Sequence, residues 1–86
     1  MFGLFRYDPP RTVIYDEAAG QYHVRRPAQY PTHDNPYEYY DRSDRRWMPA
    51  KDQVLDAFSS ESHARLYAAQ NDKPPVDRGE TDRIIA

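Results

Sequence analysis

Apolar and aromatic residues near the start of the chain fall in two short runs separated by a polar turn. Thr12–Tyr15 and Tyr22–Val24 are rich in β-branched and aromatic side chains, and Asp16–Gly20 between them has turn chemistry. Gly20 stands where a short hairpin loop needs a positive φ. The pattern predicts a β-hairpin within residues 11–26.

A second segment repeats this layout. In both, a Tyr-Asp dipeptide is followed, six residues after the aspartate, by another aromatic residue: Tyr22 in the first segment and Trp47 in the second. The aspartate can bond to the backbone of its own turn. We therefore expect a second hairpin from Glu38–Asp41 and Arg45–Met48, with its tip near residues 43–44. Two copies are too few to define a repeat protein.

Prolines at 27, 31 and 36 separate the two hairpins. Each proline biases the preceding residue toward extended geometry, and none can donate a hydrogen bond inside a sheet. Residues 27–36 are therefore predicted to form an irregular or polyproline-like strap.

Residues 49–71 have a helical pattern. Pro49 suits a first helical position, and an apolar stripe follows at Val54, Leu55 and Phe58. The serines at 59 and 60 either interrupt this helix or cap a second one that begins at Glu61. We favour two short helices over one continuous helix across 50–70, with Leu66, Tyr67 and Ala69 continuing the apolar face.

These elements predict a small α+β or irregular fold. The expected order is an extended segment over 1–10, a hairpin region over 11–48 and a helical segment over 49–71, with an extended tail over 72–86. Leu, Ile, Val and Phe make up only 13 of the 86 residues. A core this small contributes no more than about 3–5 kcal/mol, so we expect a partner to add to the stability.

Catalytic and metal-binding patterns are missing from the sequence. It has no cysteine, and its histidines at 23, 33 and 63 lack metal-ligand spacing. The acidic turn over 41–46 lacks the glycine and distant glutamate of a calcium loop. We therefore expect no enzyme activity, no cofactor, no metal and no direct small-molecule substrate.

The stretch YEYYDRSDRRW, residues 37–47, combines aromatic residues with arginine. Tyr, Trp and Arg dominate binding energy at protein interfaces. The same residues suit nucleic acid, but the acids within the stretch nearly cancel its charge and the chain has a net charge of −2. Nucleic acid is therefore disfavoured, and other protein subunits are the expected partners.

The predicted partner-binding residues come from this stretch and from the apolar end of the tail. Part of the aromatic set can instead form the domain's own core, with one face of the second hairpin turned inward and the other toward a partner. The set comprises Tyr37, Tyr39, Tyr40, Arg42, Arg45, Arg46, Trp47, Ile84 and Ile85.

The composition favours a small accessory subunit of a large assembly, such as an organellar respiratory or ATP-synthase complex. A mitochondrial location is preferred to a cytoplasmic one. No window is apolar enough for a transmembrane segment, although a position against a membrane complex is compatible. The alternatives are an inhibitor, encoded by a phage or mobile element, that docks on a host enzyme, and a ribosomal or RNA-associated accessory protein.

Overall fold

A computed structural model describes residues 7–71 and 83–84, which form one antiparallel sheet with an α-helix packed on it. The strand order is β4-β3-β2-β1-β5. The prediction of a small α+β fold with two hairpins is confirmed. The elements are β1 Thr12–Asp16, β2 Gln21–Pro27, β3 Tyr37–Asp41, β4 Arg46–Met48, a 3₁₀ turn Lys51–Gln53, α1 Glu61–Ala69 and β5 Arg83–Ile84.

The first hairpin joins β1 to β2. Val13 pairs with Val24 and Tyr15 pairs with Tyr22, so the residues predicted to form strands face each other across the ladder. Gly20 has a φ of 66°, and its N–H donates to the carbonyl of Asp16 at 2.8 Å. The predicted positive φ is therefore confirmed.

The second hairpin joins β3 to β4. Tyr40 pairs with Trp47 and Asp41 pairs with Arg46, which leaves four residues, 42–45, in the loop. Arg45 was predicted to begin the second strand, but it is the last residue of the turn and has a φ of 54°. The predicted hairpin is confirmed with this one change at its tip.

The strap between the hairpins is irregular, as predicted. Its first predicted residue, Pro27, is instead the last residue of β2 and pairs with Tyr37. Its two ends meet where the Ala28 N–H donates to the carbonyl of Pro36 at 3.0 Å. A tight turn inside it is held by the Asn35 N–H, which donates to Thr32 Oγ1 at 3.0 Å.

The first of the two expected helices does not form. Only the 3₁₀ turn Lys51–Gln53 is helical there, and Leu55, assigned to an apolar stripe, is 75% exposed. The reason is a competing set of backbone hydrogen bonds. Tyr22 and Phe58 exchange two N–H···O bonds of 2.7 and 2.9 Å, and the Arg42 N–H donates to the carbonyl of Asp56 at 3.0 Å. Residues 56–58 thus form an extended segment, here called the wedge, beside the first half of β2.

Helix α1 forms as the capped second helix. The Ser60 hydroxyl accepts a hydrogen bond from the His63 N–H at 3.5 Å, which satisfies a donor that the first turn leaves free. Ala64 and Ala68 lie against the sheet, and their small side chains allow close approach. The predicted apolar face was wrong at Leu66, which is 66% exposed, and at Ala69, which is also exposed, because α1 turns Ala64 and Ala68 toward the sheet instead.

The core lies between α1 and one face of the sheet. Its buried members are Val13, Val24, Phe58, Ala64 and Ala68, with Tyr22, Tyr40, Trp47 and Tyr67 packed around them. The opposite face of β1 and β2 is buried as well, at Thr12, Ile14, His23 and Arg25. In the part of the chain that the structure describes, no helix has the length and apolar character needed to span a membrane.

Candidate protein-binding surface on the second hairpin

The second hairpin presents two different faces. Side chains alternate along a strand, so neighbours in sequence point to opposite sides of the sheet. Tyr40 and Trp47 pack toward α1 on what we call the inner face. Tyr37, Tyr39 and Met48 alternate with them and belong to the outer face. The predicted binding residues are therefore divided between the two sides of one hairpin.

On the inner face, the aromatic rings are part of the protein's own packing. Tyr40 stacks on Tyr67 of α1 with 4.3 Å between ring centroids, and Trp47 lies 5.3 Å from Tyr40. Phe58 of the wedge completes the group, 5.9 Å from Tyr67. These rings compensate for the shortage of aliphatic side chains in the core.

Two arginines flank the ring of Trp47. The guanidinium carbon of Arg26 lies 4.2 Å from the ring centroid, and that of Arg11 lies 5.6 Å from it. Glu38 holds Arg26 in place through a 2.8 Å contact with Nε, and Arg11 donates to the Tyr67 carbonyl at 2.9 Å. Sequence reasoning missed this arrangement because neither arginine belongs to the aromatic stretch. The signal available was that Arg11 and Arg26 stand at the two ends of the predicted hairpin, residues 11–26.

The surroundings of Tyr67 alter the acidity of its hydroxyl group. Burial raises the pKa of Tyr67 from 10.0 to about 12, and the neighbouring Tyr40 hydroxyl adds to the increase. The positive charge of Arg11 opposes this shift in pKa without cancelling it. Tyr67 therefore remains a neutral packing residue at physiological pH.

The outer face of the second hairpin is partly exposed. We define the outer surface as Tyr37, Tyr39, Arg46 and Met48, of which the first two and Met48 are half-buried and Arg46 is exposed. Tyr39 and Met48 are direct cross-strand neighbours. Tyr, Met and Arg are residue types enriched at protein interfaces, where Lys and Glu are depleted.

The buried side chains of Arg25 and His23 support the two tyrosines of the outer surface. The guanidinium carbon of Arg25 lies 4.2 Å from the ring centroid of Tyr37. The ring of Tyr39 meets His23 edge to face at a centroid distance of 6.0 Å. Arg25 and His23 are themselves buried, so both tyrosine rings rest on rigid neighbours and lose little freedom when a partner covers them.

Asp41 sets the shape of the hairpin tip. Its side chain is fully buried, and Oδ1 accepts hydrogen bonds from the Ser43 N–H at 3.0 Å and the Asp56 N–H at 3.1 Å. The Arg42 side chain packs over the wedge, with its guanidinium carbon 5.0 Å from the ring centroid of Phe58. Arg45 is exposed at the end of the same turn.

The predicted residues of the tail lie elsewhere. Ile84 pairs with Ile14 at the edge of β1, so the chain uses this residue in its own sheet. Ile85 lies outside the described residues. The expectation that these two residues dock on a neighbouring subunit stays a prediction.

Comparison with known proteins adds no assignment. No family model, no curated protein and no solved structure matches this chain. Among residues 7–71 and 83–84, no three His, Asp or Glu side chains come together in a way that could hold a metal ion. The outer surface and the hairpin tip beside it carry residue types that are enriched at protein interfaces.

Proposed function

We propose that the chain is a non-catalytic protein–protein interaction protein, a small accessory subunit that contacts a neighbouring subunit through the outer surface of its second hairpin. One observation carries the proposal. The inner face of this hairpin is occupied by the protein's own core, while the outer face presents Tyr39 beside Met48 and Arg46, partly exposed and rigidly backed.

The energetics of interfaces support this choice. Truncating a well-packed tyrosine, tryptophan or arginine at the centre of an interface often costs about 2 kcal/mol or more. A preorganised aromatic ring contributes more to affinity than a mobile one because less entropy is lost on binding. Tyr39 is of the residue type named in the first condition, and its ring is preorganised because it lies against the buried His23.

The kind of assembly is inferred from composition. A short chain with ten arginines and eight tyrosines, but only two lysines, suits a supernumerary subunit of an organellar respiratory or ATP-synthase complex. An inhibitor that docks on a host enzyme would use the same surface. The two roles differ in behaviour, because a subunit stays in stoichiometric complexes whereas an inhibitor diffuses freely.

Native co-purification with mass spectrometry of the partners tests the proposal. The chain carries an N-terminal tag and is compared with the double variant Tyr39→Thr/Met48→Thr, in which threonine keeps the strand propensity. We expect stoichiometric partners with the wild type and a loss of about tenfold or more with the double variant.

Tyr30→Thr is the matched control, because Tyr30 is 84% exposed, lies in the strap and is not one of the residues that define the outer surface. Far-UV circular dichroism of each variant establishes that the sheet is intact. The proposal is wrong if the folded double variant retains its partners as well as the Tyr30 control, or if no protein co-purifies in stoichiometric amount.

A further inference from the structure

The two hairpins have loops of the same length but different final residues. Four residues separate Asp16 from Gln21, and four separate Asp41 from Arg46. The last loop residue has a φ of 66° in the first hairpin and 54° in the second. The first hairpin uses glycine there, which adopts this conformation readily, while the second uses Arg45.

The surroundings of Arg45 give no internal reason for this choice. Its side chain is exposed and forms no hydrogen bond, ion pair or ring contact within the described part of the chain. Arg is also not among the residues enriched at positive φ, which are Asn, Asp and His. A residue held in an unfavourable backbone conformation without an internal contact points to a use outside the molecule.

The neighbouring Arg46 is also available. Its side chain is 66% exposed, and its ion pair with Asp44 is loose, because the 4.0 Å between Nε and the carboxylate oxygen is too long for a hydrogen bond. Residues 42–46 contain three arginines and one aspartate, whereas the whole chain has a net charge of −2. The exposed loop therefore carries a local excess of positive charge, while the buried Asp41 and the Asp56 of the wedge lie beside it.

We infer that the tip of the second hairpin binds a carboxylate-bearing surface of a partner protein, with Arg45 and Arg46 as the donors. Guanidinium groups bind carboxylates through two parallel hydrogen bonds, and such charge-assisted bonds are the stronger ones in proteins. The inference rests on the proposed function, because Arg46 belongs to the outer surface. A protein fits better than a nucleic acid because the chain lacks the overall basic charge of nucleic-acid domains.

Fluorescence anisotropy with labelled peptides tests the chemistry directly on the full chain. The probes are an oligoglutamate of about ten residues, an oligoglutamine of the same length and an oligouridine RNA of about ten nucleotides. We expect the glutamate peptide to bind at low ionic strength, to weaken as salt rises, and to bind about tenfold more tightly than the other two.

Arg45→Gly gives two effects of opposite sign. Affinity for the glutamate peptide falls about fivefold because a charged donor is lost. The melting temperature rises by about 4 °C because glycine accepts the positive φ. A variant that merely damaged the fold would have both a lower affinity for the peptide and a lower melting temperature. The matched control is Gly20→Arg, which lowers the melting temperature and leaves peptide affinity unchanged.

Three results would overturn the inference. They are failure of the glutamate peptide to bind, RNA binding as tight as peptide binding, or a stabilised Arg45→Gly chain with full peptide affinity. Failure of this inference can be told apart from failure of the proposed function. If Arg45→Gly/Arg46→Gln keeps every co-purified subunit while Tyr39→Thr/Met48→Thr loses them, the accessory role stands and carboxylate binding at the tip does not.

Discussion

The two hairpins have loops of the same length but contribute different kinds of side chain to the core. The first contributes the aliphatic pair Val13 and Val24, both fully buried. The second contributes the rings of Tyr40 and Trp47, which are half-buried and packed against α1. The comparison shows that a chain poor in aliphatic residues can form a core when one sheet edge supplies aromatic area instead.

The two turn aspartates differ in what they stabilise. Asp16 acts within its own hairpin, where Oδ1 accepts from the Ala19 N–H at 3.3 Å and Oδ2 lies 3.6 Å from His23 Nε2. Asp41 also bonds outside its hairpin, to the N–H of Asp56 in the wedge. The turn of the first hairpin is therefore closed by local bonds, whereas the turn of the second is also bonded to the wedge, which follows it in sequence.

The largest expected difference is between the paired aromatic positions. Trp47→Ala should reduce the free energy of unfolding by about 3 kcal/mol, because it removes a ring that packs on the core and on two guanidinium groups. Tyr15→Ala, at the cross-strand pair of the first hairpin, should cost about 1 kcal/mol. Urea unfolding of both variants measures the two values. Equal losses would mean that the second hairpin contributes no more through its rings than the first.

The turn aspartates give the next largest difference. Asp41→Ala leaves the Ser43 and Asp56 N–H groups without their acceptor and should cost about 2–3 kcal/mol. Asp16→Ala loses contacts at a more exposed turn and should cost about 1 kcal/mol or less. Asp41→Asn is the control, since the amide oxygen can still accept both bonds. A greater loss for Asp16→Ala than for Asp41→Ala in urea would reverse our assignment of local and long-range roles.

The smallest effect is a dependence on alkaline pH that arises where Tyr67 of α1 packs on the second hairpin. The pKa of Tyr67, raised to about 12, exceeds its value in the unfolded chain, so the folded state retains the proton longer. The stabilising contribution is complete below pH 10 and is lost as the pH rises toward 12. Tyr67→Phe should therefore lose less stability than the wild type between pH 10 and pH 12 in parallel urea titrations. Identical slopes would show that Tyr67 ionises equally in both states.

The hairpins could be predicted because their turns are encoded locally. Gly20 and the two Tyr-Asp dipeptides act within a few residues of themselves, and the observed ladders follow from them. The division of the aromatic residues also follows from alternation once Tyr40 is known to pair with Trp47. What the sequence could not supply was the side of the hairpin that α1 would cover.

The wedge and the strained turn were not predictable from local pattern. Val54, Leu55 and Phe58 have helical spacing, yet backbone bonds between Phe58 and Tyr22 hold the last of them extended. Such tertiary contacts override helix propensity and leave no trace in a short window. Arg45 at positive φ was equally hidden, because arginine gives no turn signal, and it became visible only beside Gly20.

The shortness of the outermost strands limits how these molecules can associate with one another. β4 has three residues, Arg46–Met48, with arginine before it and Pro49 directly after, and β5 has two. Long, flat edge strands invite other chains to extend the sheet and lead to fibrillar aggregation, whereas short edges flanked by charge and proline discourage it. A protein with a small core and many tyrosines can thus avoid edge-to-edge extension of its sheet while the outer surface of the second hairpin stays partly exposed.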